Sequence, residues 1–223
     1  MTDVHCHVTG DDPSVREFLI GRDFVGVHPW DCLGQSTAVE CNRLLSGLRE
    51  ALEADPRLGV GEIGLDRLKE REISPWMREV FEVQLKLALE FNRPVVLHGA
   101  KCWGQVVKMI QGICEQVRKH RTGAFLFHGF SRSDGLIPDI VALGGYISVG
   151  PAVLNDHAVN YRELVKKIPI ERLLVETDRT QENAAACPSV VEVAAKTAEI
   201  RGCSLAELEV LTDRNADNFG IIR

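Results

Sequence analysis

The sequence predicts an α/β fold, a TIM-type (β/α) barrel shortened on its N-terminal side and carrying about seven full parallel strands. Three observations lead there. Short apolar runs alternate with longer amphipathic stretches along the whole chain. The runs are apolar almost throughout, as strands buried on both faces of a parallel sheet are. Seven such strands, most followed by a helical stretch, fall within one chain of 223 residues, a length that suits a single domain over 1–223. A doubly wound sheet of flavodoxin-like order is the alternative that shares the pattern.

The runs are residues 3–7, 24–28, 58–63, 94–98, 124–128, 145–149 and 173–177, each brief and rich in β-branched or aromatic side chains. Between His7 and His28 there is room for one crossover at most, because parallel strands need at least about 10–12 residues to connect. The second strand slot is therefore expected to be open, or plugged by a short strand from residues 15–20 with no helix after it. The gap would lie beside His5 and His7 and widen the mouth there. Thr37-x-x-Glu40 opens the first predicted helix as a capping box. Ser74-Pro75 supplies an N-cap and N1 pair for the next, whose Met77, Val80, Phe81, Leu85, Ala88 and Leu89 share one helical face. Residues 103–119 and 161–167 repeat the helical spacing. Ser189-x-x-Glu192 and Ser204-x-x-Glu207 are capping boxes for two closing helices.

Polar residues collect at the ends of the runs. Reading each run to its C-terminal end meets His5-Cys6-His7, Val27-His28-Pro29, Gly61-Glu62-Ile63-Gly64-Leu65-Asp66, His98, His128 and Glu176-Thr177-Asp178. In a parallel α/β protein these ends face one way and line one mouth. Residues i and i+2 of a strand share a face, so His5 and His7 can grip one cation. Singly, each has a plain structural reading: a core histidine, a turn carboxylate, a helix cap at Asp178. Together, four histidines and two carboxylates (His5, His7, Glu62, His98, His128 and Asp178) suffice for two divalent ions sharing a carboxylate, a device that clamps both oxygens of a phosphoester.

Lys+Arg 26 against Asp+Glu 32 leaves a net charge of −6, so a nucleic-acid role would need a local basic patch or bound cations. Seven scattered cysteines without a C-x-x-C pair fit reduced thiols in a cytoplasmic protein. No signal peptide and no membrane-spanning run is expected, and nothing in the sequence points to an oligomeric partner.

The order H-x-H, G-x-H-P, G-E-I-G-L-D, P-V-x-x-H, F-H-x-F-S and L-x-E-T-D, with Asn215-x-x-Asn218-Phe219-Gly220-Ile221 at the end, resembles the TatD family of metal-dependent hydrolases in the amidohydrolase-like superfamily. The resemblance implies that His5, His7 and Asp178 bind one ion, that Glu62 bridges, and that His98 and His128 bind the second. It implies that Asp178 also orients or deprotonates the attacking water, and that the reaction is phosphodiester hydrolysis in DNA, typically with magnesium. Four histidines favour zinc or manganese in a purified sample, with Mg2+ serving in the cell. The sequence departs from the family at His98-Gly99-Ala100-Lys101, where H-S-R is common, and at Asp178-Arg179-Thr180, where Ala-Pro often follows the Asp. Lys101, Arg132 or Arg179 is then expected to take the phosphate, within a rim that also includes Arg67. His28 is expected at the mouth, touching substrate or a group that supports the ligands, but no ion. The rival is hydrolysis of a lactone, amide or phosphomonoester on the same barrel.

Overall fold

The computed structural model describes residues 1–33, 38–117 and 124–220. Eight strands lie parallel in sequence order: β1 (Thr2–Cys6) pairs β2 (Arg16–Leu19), and β3 (Phe24–Val25), β4 (Gly59–Asp66), β5 (Val95–Ala100), β6 (Phe125–Phe127), β7 (Tyr146–Val149) and β8 (Leu173–Val175) form a six-stranded sheet. A bridge from Ile20 to Phe24 joins the two sheets on one side. On the other, Asp178 N donates to His5 O and His7 N to Arg179 O, so β1 closes against the β8 side. The helices α1 (Ala38–Ala54), α2 (Pro75–Phe91), α3 (Trp103–Val117), α4 (Ile137–Ala142), α5 (Val159–Lys167), α6 (Val190–Arg201) and α7 (Leu205–Phe219) follow the strands as a barrel requires. No helix among the described residues is long and apolar enough to cross a membrane.

The caps read from the sequence form at α2, α6 and α7, where Ser74, Ser189 and Ser204 each accept a backbone N–H of the first turn. Thr37-x-x-Glu40 lies outside the described residues, as do residues 118 and 119 at the end of the third predicted helix. Helix α4 was not expected; six residues carry too little periodicity to be read. The strand at 58–63 runs on to Asp66.

The shortened side is as expected in one respect and different in another. Residues 7–15 contain no helix, and β2 plugs the second slot as a four-residue strand. The third strand, however, is not full length: the ladder stops at Val25 instead of running to His28. The cause is Gln84, fully buried on α2, whose side-chain Oε1 accepts from Val27 N at 2.6 Å while its Nε2 donates to Val27 O at 3.1 Å. One carboxamide thus satisfies the backbone groups that a neighbouring strand would otherwise satisfy. The chain is then free to turn at His28 into a short 3-10 turn, Pro29–Cys32, capped by the His28 ring.

Replacing Gln84 by leucine keeps the volume but strands a buried N–H and a buried C=O. Urea denaturation of Gln84→Leu should show a loss of about 2–4 kcal/mol; a loss below about 1 kcal/mol would mean that the carboxamide is not what holds this turn.

Candidate metal centre

The pairing of β1 with the β8 side sets the first part of the site. Because Asp178 N bonds His5 O at 3.0 Å and His7 N bonds Arg179 O at 2.8 Å, the ladder continues past β8 and carries Asp178 up beside both histidines. Asp178 adopts a left-handed backbone (φ 50°), and so do Lys101 (φ 56°) and Arg132 (φ 58°) at the same mouth. Non-glycine residues in this region cluster at functional sites.

Glu62 is placed by β4. Its ladder with β5 slips between Val60 and Ile63, an irregularity of the kind that re-aims a side chain. The glycines on either side are demanded by β5: a Cβ at Gly61 would lie 2.8 Å from Val96 Cβ, and one at Gly64 would lie 2.0 Å from His98 O. Glu62 consequently enters the barrel mouth almost wholly buried, at 4% exposure.

The two oxygens of Glu62 meet two different sets of imidazoles. Oε2 lies 3.6 Å from His5 Nε2 and 3.5 Å from His7 Nε2. Oε1 lies 2.6 Å from His98 Nδ1, 2.8 Å from His128 Nε2 and 3.5 Å from His28 Nε2. Asp178 Oδ1 completes the first set, 3.4 Å from His5 Nε2 and 3.6 Å from His7 Nε2. Ligand-capable atoms within 4.8 Å of one another thus form overlapping groups: His5, His7 and Asp178; His5, Glu62 and His128; His28, Glu62 and His98.

These residues suit a cation on this structure's own terms. His5 is fully buried, yet neither ring nitrogen has a hydrogen-bond partner, and its ring stacks on that of His128 at 4.0 Å. A buried imidazole left unpaired is costly, and a cation seated against its lone pair removes the cost. Imidazole and carboxylate together are the donor set of zinc, manganese and iron.

Further carboxylates hold the rings from behind. Asp66 Oδ2 takes His98 Nε2 at 2.9 Å and Trp30 Nε1 at 2.8 Å. Glu176 Oε1 lies 3.5 Å from His128 Nδ1, and its carboxylate is itself fixed by Gly129 N and Ser148 Oγ. Asp3 accepts from Thr177 N, Thr177 Oγ1 and His5 N, tying β1 to the turn that presents Asp178. A carboxylate bonded to the far ring nitrogen, as Asp66 is to that of His98, selects the tautomer and orientation of a ligating histidine. Sequence reasoning assigned no role to Asp66, Glu176 or Asp3. The available signal was spacing: Asp66 stands on the same strand face as Glu62, and Glu176 stands two residues before Asp178.

The expected substrate contacts divide. Lys101 and Arg132 line a cavity of about 720 Å3 together with His98, His128 and Asp178. Arg179 lines a different cavity, of about 280 Å3, beside Asp3, Gly10, Glu17 and Thr177 in the slot that lacks a helix. Its guanidinium lies so near Gly10 that a Cβ there would clash with it. Arg67 Nε donates to Arg71 O within its own loop. His28 stands at the mouth, its Nε2 3.5 Å from Glu62 Oε1 and within ligand reach of Glu62 and His98.

The groups hold one another's charge. Burial would raise Glu62, but His128 and the other imidazoles keep its carboxyl well below the usual range. Burial would likewise raise Asp178, and the nearby imidazoles of His5 and His7 bring it down instead. The bonds of Asp178 and Glu62 push His7 up to about 9. Burial opposes the proton on His98 and on His128, yet both are raised, His98 by Asp66 and Glu62, His128 by Glu62 and Glu176. Asp3, whose burial is offset only in part by its hydrogen bonds, is raised to about 7.

A model of the family described as TatD-related DNase matches residues 20–219, a span that begins after the His5–His7 pair. The chain is 28% identical over 223 residues to the uncharacterized metal-dependent hydrolase YabD of Bacillus subtilis, covering 92% of this chain and 82% of that protein. It is 27% identical over 212 residues to the 3'-5' ssDNA/RNA exonuclease TatD of Escherichia fergusonii, covering 88% and 76%. The crystal structure of the TatD homologue YjjV from Escherichia coli superposes with a TM-score of 0.79 over 100% of this chain and 98% of that one, at 22% identity, a likeness of fold.

A cation must displace protons to bind here, since an imidazolium has no lone pair to offer. At pH 7 His7, raised to about 9, still carries its proton in the cation-free protein. Cation affinity should therefore rise with pH up to about pH 9, and calorimetric titration at pH 7 in buffers of different ionisation enthalpy should show net proton release. Binding with no proton exchange would contradict this charge distribution.

Proposed function

The chain belongs to the TatD-related DNase family of metal-dependent hydrolases, and from that premise we propose that it hydrolyses phosphodiester bonds of DNA with two divalent ions. The observation that carries the reading is the division of Glu62, one oxygen toward His5 and His7 and the other toward His98 and His128. His5, His7 and Asp178 would hold one ion and His98 and His128 the other, with Glu62 available to both. Ions so held polarise the phosphoryl oxygen and make water acidic enough to attack near neutral pH. Zinc or manganese is the ion expected in purified protein, and magnesium is the one available to it in the cell.

The chain's own groups supply the rest. Asp178 stands half-exposed at the mouth with Oδ1 turned to the histidines, which leaves Oδ2 to orient the attacking water and take its proton. Its depressed pKa keeps it ionised, as a cation ligand must be. Lys101 and Arg132, on the wall of the cavity, neutralise the phosphate, Lys101 as a point charge and Arg132 through its planar fork. The exonuclease activity named for the Escherichia fergusonii relative supports a nucleic-acid substrate. The net charge of −6, and a lysine three residues after His98 in place of a nearer arginine, favour the rival reading of a lactone, amide or phosphomonoester.

Purified Glu62→Gln and Asp178→Asn should each lose about 10^3-fold or more in turnover of single-stranded DNA while keeping the wild-type circular dichroism spectrum. Wild-type turnover in either variant would remove these residues from the chemistry. A parallel screen of wild-type protein on dinucleotide phosphodiesters, phosphomonoesters and lactones with each ion decides between the two readings.

A further inference from the structure

Few large hydrophobic side chains are exposed among the described residues, and two of them, Trp30 at 47% and Leu68 at 58%, stand at the metal centre. Leu68 lines the main cavity with His98 and His128. Trp30 lies edge-on to His28, ring centroids 5.0 Å apart at 87°, and 6.4 Å from the His98 ring.

The indole is fixed in place. Its Nε1 donates to the buried Asp66 Oδ2 at 2.8 Å, and the same oxygen receives His98 Nε2. Its backbone N–H donates to His28 Nδ1 at 3.1 Å, within the capped 3-10 turn Pro29–Cys32. Lys69 Nζ stands over the ring, 4.4 Å from its centroid. The polar edge is thus consumed inside the site while about half of the side chain stays open to solvent, beside a cation.

We propose that Trp30, with Lys69, is a stacking subsite for an unpaired nucleobase adjacent to the scissile phosphate, and so a specificity-determining residue of this centre; the proposal rests on the phosphodiester reading above. An aromatic face with a mobile cation at hand is the arrangement by which single-stranded nucleic acid is held; the flexible Lys69 side chain, which covers a face of the ring here, swings off it to pair with a neighbouring phosphate as the base takes its place. Stacking tolerates any base, since every base offers a π-face. Bases inside a duplex are covered by their neighbours, so the subsite selects single strands and frayed ends. Esters without an aromatic group gain nothing from it.

The test crosses two changes: Trp30→Ala or Trp30→Phe in the protein, and an abasic tetrahydrofuran residue at each successive terminal position of a single-stranded oligonucleotide. Readouts are kcat/KM for cleavage and, separately, affinity for a phosphorothioate-linked probe by fluorescence anisotropy. At one position the abasic residue should cost the wild type about 10- to 100-fold. Trp30→Ala should lose a similar factor on the intact oligonucleotide and then be indifferent to the abasic residue. Trp30→Phe, which keeps a ring but has no N–H for Asp66, should retain dependence on the base. Equal abasic losses in wild type and Trp30→Ala, a wild type indifferent to the abasic residue at every position, or Trp30→Phe behaving as Trp30→Ala would overturn the stacking role while leaving phosphodiester hydrolysis standing. A wild type that cleaves no oligonucleotide with magnesium, manganese or zinc supplied would overturn the phosphodiester reading itself, and the subsite with it.

Discussion

One buried carboxylate, Glu62, with five imidazoles gathered round it, is the constraint on which the rest of this molecule depends. A carboxylate taken out of water without partners costs several kcal/mol. Here the imidazole nitrogens of strand-end residues from β1 and its neighbours to β6 offset that cost, and each must arrive within a few ångströms of one of two oxygens. A barrel of parallel strands delivers side chains from distant parts of a chain to one such point, because every strand ends on the same face. The two glycines around Glu62, the slipped β4–β5 ladder and the continuation of pairing from β8 into Asp178 all serve that convergence.

The same constraint gives the centre its electrical character. Behind the rings stand further carboxylates: Asp66 bonds the far nitrogen of His98, and Glu176 lies 3.5 Å from that of His128. Protons and divalent cations are alternative counter-charges for this cluster, so the raised imidazoles and depressed carboxylates are two descriptions of one site built to hold positive charge. Asp66 has a further consequence. It joins His98, which faces the metal position, to Trp30, which faces solvent, through a single oxygen. The positions of the Trp30 and His98 rings are therefore mechanically linked.

The shortened N-terminal side shows how a barrel tolerates a lost helix. β2 fills the slot with four residues, the Gln84 carboxamide stands in for strand pairing at Val27, and a cavity remains between the β1–β2 loop and the start of α6. Arg179 occupies the wall of that cavity, where the sequence alone placed it on the substrate rim. Its position follows from the β1–β8 pairing: the backbone bond from His7 N to Arg179 O fixes the residue beside β1.

Legibility in the sequence followed the range of the interactions. Strand order, helix caps and the six ligand candidates are written in local periodicity and in residue types at strand ends, so His5, His7, Glu62, His98, His128 and Asp178 could be named before any coordinate. The plug at 15–20 came from counting, since chain length limits what can fit between two strands. What depends on contacts between distant segments was not readable. Gln84 looks like any polar residue on an amphipathic helix until α2 packs over Val27. Asp66, Glu176 and Asp3 look like turn or cap carboxylates until a histidine ring or a turn threonine from another strand meets each one. Arg179 lines the cavity of the slot without a helix, not the cavity that holds Lys101 and Arg132. The local sequence states which group a residue carries and on which face it stands. Which oxygen it meets is decided by strand stagger and backbone pairing over more than a hundred residues, and only the closed barrel supplies that.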